Sequence, residues 1–355
     1  MNLIKIQERM KKEEFDAILI TSLKNIRYLT GFSGSTALLL VEPENSYIFV
    51  DSRYLEQVKA EVVNAEPILV TKDKSSVDYI KEKKDQRKWK RIGFEGNHIS
   101  YNDWLKWKEV FNNCDFISLN GWVEDLRMIK TEGEIEIIKK ALEIAEKALE
   151  KTLELIKPRI KEKDIAIELE YQMLKLGAEK SAFDTIVASG WRSALPHGKA
   201  SNKEVLPQEF IVIDFGAFYN GYNSDITRTV FLGNPKEEEL LVYNIVLEAQ
   251  NKAEEFIKDG VNIEFLDKSA RDIIQENGFG EYFGHGLGHG LGLEVHENPR
   301  IAPKVEGTLK ENMVITIEPG IYIPKKFGIR IEDLVVVKKE KGEILNSFPK
   351  ELIIL

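Results

Sequence analysis

Four acidic residues and one histidine, each beside an apolar run or a glycine-rich stretch, are the side chains in this sequence best suited to chemistry. They are Asp214, Asp225, His289, Glu318 and Glu332. Carboxylates joined by one imidazole make a hard, oxygen-rich site, which suits divalent Mn, Co, Fe or Zn better than a thiolate-bound structural zinc. Four carboxylates supply more ligands than one metal ion needs, and enough for two ions. The residue types therefore predict a hydrolase with two divalent metal ions.

Taken singly, each of these acids has a simpler explanation as a solvated surface charge, as most Asp and Glu residues are. Two of them argue against it, because Asp214 ends the apolar run IVID and Glu318 ends the run VITIE. Burying four carboxylates together without cations would be prohibitive, since an unpaired buried charge costs several kcal/mol. The set as a whole therefore favours a metal site over surface charge.

Two hairpins could bring the acids together. Asn220-Gly221 is a strong signal for a two-residue turn, because both residues tolerate positive φ. Such a turn predicts Asp214 opposite Thr227, with Asp225 as the diagonal neighbour on the same face.

The second pair of acids, Glu318 and Glu332, flanks the turn-like sequence KKFG at 325–328. Strand alternation then allows both acids to point to one place. His289 lies in the glycine-rich stretch between the two hairpins and could reach the same point.

The remaining pattern predicts two domains. The first third alternates apolar runs with amphipathic stretches, with predicted strands at 16–21, 36–41, 46–51 and 91–96 and helices at 2–14, 53–63 and 100–112. After a join at 120–131 the pattern changes to long helices at 132–156, 163–177, 237–258 and 263–277, with strands within 209–232 and 312–337. We expect an α/β domain over 1–121 and an α+β domain over 122–355.

Composition excludes several classes of partner. The chain has 355 residues with 50 basic and 59 acidic side chains, a net charge of −9, and no basic block that would indicate nucleic acid. No run of about 18 apolar residues predicts a membrane span, and the polar start lacks a signal-peptide core. Cys114 is the one cysteine, so no internal disulfide can form, which fits a reducing compartment. We expect a cytoplasmic protein.

An ordered series of motifs resembles one known family. The series runs from Ser181 to Leu334 through SAFDTIVASG, LPHG, DFG, SDITRT, FGHGLGHGLGLEVHE, IEPGIY and IRIED. It resembles the proline-specific branch of the pita-bread metallopeptidases, which contains Xaa-Pro aminopeptidases and Xaa-Pro dipeptidases. GFSGSTALLL and FVDSRYLEQ look like the first domain of bacterial aminopeptidase P-like proteins. The resemblance implies a creatinase N-terminal-like α/β domain followed by an α+β pita-bread catalytic domain.

The resemblance also assigns the metal ligands. Asp225 and Glu332 would bridge the two ions, Asp214 would complete one site, and His289 with Glu318 would complete the other. A water or hydroxide between the ions would attack the scissile carbonyl of an Xaa-Pro bond. Glu318 would also handle the proton of that water.

Five further residues receive roles from the same resemblance. His197 and His296 would donate hydrogen bonds to the substrate carbonyl and the tetrahedral intermediate. His285 would line the substrate end of the pocket. Arg330 would orient the acids or bind a substrate terminus, and Arg300 would bind a carboxylate on the product side.

Several functions stay open at this point. The N-terminal motifs favour an aminopeptidase that removes Xaa from longer Xaa-Pro peptides, with an Xaa-Pro dipeptidase (prolidase) as the alternative. A methionyl aminopeptidase usually lacks a first domain of this size. A non-hydrolytic peptide-binding relative is more remote, because such relatives depart from the ligand pattern. We expect a homodimer that acts on proline-containing peptides with two divalent ions, Mn or Co foremost and Zn or Fe as alternatives.

Overall fold

The computed structural model describes residues 2–355. The chain forms two compact units that divide after Arg127. The sequence places the join slightly earlier, after residue 121. Trp122 belongs to the first unit because its ring packs edge-on against Phe15, with centroids 5.5 Å apart, and lies under the guanidinium of Arg9 at 4.1 Å.

The first unit is a six-stranded mixed sheet with strand order β4-β3-β2-β1-β5-β6. Its strands are β1 Ala17–Ile20, β2 Leu38–Val41, β3 Ser46–Val50, β4 Glu66–Leu69, β5 Arg91–Phe94 and β6 Asp115–Ser118. Its helices are α1 Asn2–Lys12, α2 Leu23–Thr30, α3 Leu55–Glu61, α4 Ser76–Arg87 and α5 Tyr101–Val110, and α6 Glu124–Met128 crosses the division between units.

Helices cover both faces of this sheet. One apolar core joins the sheet to α1, α2 and α3, and the other joins it to α4 and α5. A strand that is buried on both faces must be apolar throughout, as the fully buried β1 sequence AILI is. This arrangement confirms the α/β class expected for the first domain.

The second unit contains four helices in two pairs: α7 Glu132–Leu153 with α8 Glu162–Lys175, and α9 Glu237–Phe256 with α10 Ile263–Glu276. The start of α7 has a capping box. Thr131 accepts a hydrogen bond from the backbone N–H of Glu134, and the Glu134 carboxylate accepts from the N–H of Thr131.

Two main sheets lie between these helix pairs. Their strand orders are β20-β12-β9-β8 and β14-β13-β15-β18-β19, with smaller sheets β11-β10-β7 and β16-β17. The strands are β7 Lys180–Ser181, β8 Ile186–Ser189, β9 Glu209–Phe215, β10 Ala217–Tyr219, β11 Tyr222–Asn223, β12 Ile226–Leu232, β13 Gly288–Gly290, β14 Glu297–Ile301, β15 Val314–Ile317, β16 Gly320–Ile323, β17 Phe327–Arg330, β18 Asp333–Val336, β19 Glu343–Ile344 and β20 Ile353–Ile354.

Alternate residues along these strands face different cores. Phe210 and Phe231 pack with α9 and α10, whereas Ile211 and Val230 pack with α7 and α8. The sheets are therefore apolar on both sides, and this unit has the expected α+β organisation. Among residues 2–355, none of the helices combines the length and apolar character needed to cross a bilayer.

Candidate active site

The first pair of acids lies on the β9–β12 hairpin. Asp214 pairs with Thr227, the register predicted from the two-residue turn at Asn220-Gly221. Both turn residues have positive φ, 45° and 89°. Beyond β9 the strands come close at Gly216, where a Cβ would lie 1.9 Å from a backbone oxygen of the opposite strand. The hairpin thus needs glycine there, two residues after Asp214.

The second pair of acids lies between the two paired stretches of another hairpin. Glu318 connects β15 to β16, and Glu332 connects β17 to β18. β15 pairs with β18 and β16 pairs with β17 in one continuous register, which places Glu318 opposite Glu332. The turn spans residues 324–326, with Lys325 at φ 63°, so the predicted KKFG turn lies slightly too late in the chain. Residues opposite each other in an antiparallel pair project to the same face, so the two carboxylates point the same way.

His289 reaches this face from β13. A Cβ on Gly288 would lie 2.0 Å from the Thr316 carbonyl oxygen, and one on Gly290 would lie 2.2 Å from that of Asn298. The glycines thus allow β13 to sit tightly between its neighbours. Nδ1 of His289 lies 3.0 Å from the Gly290 carbonyl oxygen, which can only accept, so Nδ1 carries a proton and Nε2 is the nitrogen that faces the carboxylates.

Three of these side chains form a compact cluster. Ligand atoms of Asp225, His289 and Glu332 all lie within 4.8 Å of one another. Nε2 of His289 lies 3.7 Å from Oδ2 of Asp225 and 3.3 Å from Oε1 of Glu318. Oδ1 of Asp225 and Oε1 of Glu332 are buried and have no hydrogen-bond partner among residues 2–355. Unused, buried carboxylate oxygens facing one imidazole are a donor set that fits divalent cations.

The electrostatics of the cluster point the same way. Burial, and then the negative charge of Glu332, raises the pKa of Asp225 well above its usual range. Burial, and then the charge of Glu318, does the same for Glu332. Burial alone would also raise the pKa of Glu318, but the hydrogen bond and charge of His289 hold it at about 2. The protein's own cations therefore do not balance Asp225 and Glu332.

Asp214 has its own cationic partner. The guanidinium of Arg330 forms a buried ion pair with it and also donates to the Tyr322 hydroxyl at 2.8 Å, the Thr227 hydroxyl at 3.1 Å and the Pro196 carbonyl at 3.2 Å. Burial raises the pKa of Asp214, and the charge of Arg330 opposes this rise. Of the two roles expected for Arg330, this geometry favours orientation of an acid.

His285 contacts the hydroxyl group of Tyr322. Its Nδ1 is 2.8 Å from the Gly286 carbonyl oxygen and its Nε2 is 2.9 Å from the Tyr322 hydroxyl. Burial raises the pKa of Tyr322 to about 12, so the phenol stays protonated and donates to His285. Burial also lowers the pKa of His285, which favours the neutral ring. Tyr322 belongs to the site but was missed from the sequence, where IEPGIY was the only local signal.

The remaining expected residues surround the cluster. The His296 ring lies 4.4 Å from the His289 ring, centroid to centroid. Burial, and then the charges of His289 and His197, lowers the pKa of His296. His197 follows Pro196, whose carbonyl accepts from Arg330 at 3.2 Å, so it lies near the same acids. Arg300 is exposed and pairs directly with His289 across β13 and β14. The structure therefore brings every residue expected in the site to one region of the second unit.

Comparisons with known proteins show the family of the chain. Residues 136–339 match the model of metallopeptidase family M24, and residues 3–129 match the creatinase/prolidase N-terminal domain. The chain is 45% identical over 350 residues to the Xaa-Pro dipeptidase of Pyrococcus horikoshii, covering 98% of this chain and 97% of that protein.

Two solved structures have the same fold over their whole length. The Xaa-Pro dipeptidase from Bacillus anthracis is 41% identical with a TM-score of 0.96, covering 100% of this chain and 99% of that one. The X-Pro aminopeptidase from Thermotoga maritima is 45% identical with a TM-score of 0.91, covering 98% and 100%. The chain therefore belongs to metallopeptidase family M24, has a creatinase N-terminal domain followed by a pita-bread catalytic domain, and is a metal-dependent hydrolase.

Proposed function

We propose that this protein is an Xaa-Pro dipeptidase that uses two divalent metal ions. The observation that carries the proposal is the cluster of Asp225, His289 and Glu332, in which two buried carboxylate oxygens lack a partner. The choice of dipeptidase over aminopeptidase rests on relatives named Xaa-Pro dipeptidase that match the full chain. The sequence motifs favoured the aminopeptidase, and the equally similar Thermotoga maritima aminopeptidase keeps it as the second candidate.

The five acidic and imidazole side chains would hold the ions. Asp225 and Glu332 would contact both, Asp214 would complete one site, and His289 with Glu318 would complete the other. Two such ions lower the pKa of a water molecule and polarise the scissile carbonyl. Mn or Co suits this hard donor set best.

Protons would be handled by Glu318. Its carboxylate could accept a proton from the attacking water and return it to the departing proline nitrogen. His289 lies close enough to hold the carboxylate in place.

His296 and His197 would act on the substrate from the open side of the cluster. The lowered pKa of His296 favours the neutral ring, which carries one N–H donor. Donors of this kind stabilise the negative charge that develops on the attacked carbonyl oxygen.

Arg300 would recognise the free carboxylate of the proline. Its position opposite His289 and its exposure leave the guanidinium available for a bidentate contact. A dipeptide places its carboxylate one residue beyond the scissile bond, whereas a longer peptide has an amide there. A contact between Arg300 and a carboxylate one residue beyond the scissile bond would therefore select dipeptides.

Hydrolysis of Ala-Pro, Ala-Pro-amide and Ala-Pro-Ala by metal-stripped protein resupplied with Mn or Co tests this assignment. We expect cleavage of Ala-Pro, with both the amide and the tripeptide poor. Good cleavage of Ala-Pro-Ala with Ala-Pro poor would establish the aminopeptidase. Cleavage of none of the three would favour a non-hydrolytic relative.

We also propose that the protein is a homodimer and that it acts in the cytoplasm. Sizing of the native protein tests the first proposal, and fractionation of the source cells tests the second.

A further inference from the structure

One buried carboxylate in the catalytic unit accepts hydrogen bonds from several backbone and side-chain donors. Glu162, the first residue of α8, is fully buried. Its Oε1 accepts from the backbone N–H of Ser189 at 2.7 Å and from the Ser189 hydroxyl at 2.9 Å. Its Oε2 accepts from the N–H of Ser201 at 3.2 Å, from the Ser201 hydroxyl at 2.7 Å and from the Arg192 guanidinium. Both oxygens are thus fully used inside the protein.

These partners bracket the segment 189–201, which carries His197. Ser189 lies at one end of the segment and Ser201 at the other, so a single carboxylate holds both ends. Arg192 ties the segment together from within, because its second guanidinium nitrogen donates to the Lys199 carbonyl at 2.9 Å. Glu162 therefore fixes the backbone on both sides of His197.

The His197 ring depends on this backbone. His197 is exposed, and within residues 2–355 the structure gives its ring no hydrogen bond. The ring position is therefore set by the segment and not by contacts of its own. A shift of about 1 Å in a group that meets the substrate can cost up to about 10²-fold in rate.

The opposite side of the segment contacts the active site. Arg330, the partner of Asp214, donates to the Pro196 carbonyl at 3.2 Å. The Ser193 hydroxyl accepts from the N–H of Gly328 at 2.8 Å. The segment is thus held by Glu162 on one side and by the catalytic hairpins on the other. Loss of Glu162 would loosen it while leaving the metal ligands in place.

We propose that Glu162 is a positioning residue, which fixes segment 189–201 so that His197 meets the substrate carbonyl. The inference rests on the proposed function, in which His197 donates to that carbonyl. Glu162→Gln would keep the shape of the side chain but turn an NH2 group towards hydroxyl, amide and guanidinium donors. At least one of these contacts becomes repulsive, so the segment must move.

Glu146 offers a matched control. It is also buried, and its carboxylate accepts from the N–H groups of Ser347 and Phe348, at 2.8 and 3.0 Å, and from the Ser347 hydroxyl. Glu146 therefore holds a backbone segment by the same kind of hydrogen bonds, but that segment does not carry His197. Glu146→Gln and Glu162→Gln should both lower the melting temperature, and only Glu162→Gln should lower kcat.

A double-mutant cycle tests the proposal. We expect Glu162→Gln to lower kcat on Ala-Pro about 10- to 100-fold with metal content and KM nearly unchanged. His197→Ala should lower kcat at least as much, and adding Glu162→Gln to it should cause little further loss, because both changes act through one group.

The possible outcomes separate the inference from the proposed function. Full activity of His197→Ala would refute the role of His197 itself. A loss in His197→Ala together with normal kcat in Glu162→Gln, or with losses that multiply in the double variant, would overturn the role of Glu162. If Glu162→Gln does not fold, Ser201→Ala removes only one of the anchors, and it must then show the same non-additive pattern with a smaller loss.

Discussion

Two buried carboxylates, one in each unit, have similar exposure and opposite chemical situations. Glu95 in the first unit is 5% exposed and Asp225 in the second is 4% exposed. The oxygens of Glu95 accept from the N–H groups of Thr21 and Ser22, at 2.6 and 2.7 Å, and from the Asn25 amide at 2.5 Å. One oxygen of Asp225 has no hydrogen-bond partner in the part of the chain that the structure describes. Burial is the same in both, so burial does not mark a cation site.

The catalytic unit repeats this contrast. Every acceptor of Glu162 is used, whereas Glu332 accepts from the Thr227 hydroxyl through one oxygen and leaves the other without a partner. A buried acid with all its acceptors occupied holds the backbone in place. Buried acids that converge on a histidine with unused acceptors are arranged for cations.

The largest expected effect follows a change in the converging acids. Asp225→Asn should lower the rate of Xaa-Pro hydrolysis by at least roughly 10²–10³-fold, the loss typical of one electrostatic group. It should also remove at least one ion. A neutral amide bridges two cations poorly. Metal analysis and assay of the purified variant check this, and normal metal content with a normal rate would refute the bridging role.

The same variant should differ from the wild type in stability when no metal is bound. In metal-stripped protein, Asp225→Asn should raise the melting temperature, because it removes one of several like charges that repel one another. Thermal unfolding of both stripped proteins measures this effect. A large fall in the melting temperature would mean that Asp225 is structural, as we infer for Glu95.

A smaller effect is expected beside the metal site. His296→Ala should lower kcat by about 10²–10³-fold, the usual loss for a donor that stabilises the tetrahedral intermediate, and should keep the metals. Steady-state kinetics with metal analysis give both numbers. Loss of the metals would make His296 a ligand instead.

In the first unit a change in stability, and not in activity, is expected. Glu95→Ala leaves the N–H groups of Thr21 and Ser22 and the Asn25 amide without their acceptor. An unsatisfied buried polar group costs about 1–3 kcal/mol, so the unfolding free energy should fall by at least that much. Denaturant unfolding measures the loss, and kcat should stay unchanged while the protein is folded. A loss of bound metal in this variant would undo the contrast between the two acids.

Glu254 is an exception to this contrast, because its buried Oε1 also lacks a hydrogen-bond partner among the described residues. Burial, and then the charge of Asp333, raises the pKa of Glu254 to about 7, although Lys350 lies 2.6 Å away. A proton and the Lys350 ammonium, and not a metal ion, therefore balance this acid below neutral pH. The stability that this raised pKa provides is full below about 4.5 and is lost as pH rises to about 7.

Glu254→Gln should therefore remove part of the pH dependence of unfolding in this window, up to about 1.4 kcal/mol per pH unit. Denaturant unfolding from pH 4.5 to 8 compares the variant with the wild type. The exposed neighbour provides a control, since Glu255→Gln should leave the curve unchanged. Parallel curves for wild type and Glu254→Gln would show that Glu254 does not hold a proton in the folded state.

Local sequence predicted the parts of the site that depend on local rules. The Asn220-Gly221 turn set the register that pairs Asp214 with Thr227, and strand alternation placed Glu318 and Glu332 on one face. The order of the five acidic and imidazole residues carried the family resemblance. Each of these depends on residues close together in the chain or on an ordered set of motifs.

The supporting contacts had no such signal. Arg330 and Asp214 are separated by 116 positions. The partners of Glu162 lie between 27 and 39 positions after it. A Glu that opens a helix looks the same in sequence whether it is solvated or buried. Only the folded chain shows which one becomes an anchor.

The first unit shows the same limit for secondary structure. The predicted strands at 16–21, 36–41, 46–51 and 91–96 all formed, within a few residues at each end. The helix α4 was missed because Ile80 is its only buried residue, so its apolar periodicity is weak. The strands β4 and β6 were missed because they lie at the two edges of the sheet and are only partly buried.

Calorimetric titration of Mn²⁺ into metal-stripped protein, with Ala-Pro hydrolysis followed at each addition, measures whether the converging acids bind metal for catalysis. The proposed function predicts two ions per chain, with dipeptide hydrolysis appearing as the sites fill and with fewer ions bound by Asp225→Asn. A folded protein that binds no ion, or an Asp225→Asn variant that binds two as tightly as the wild type, would contradict it.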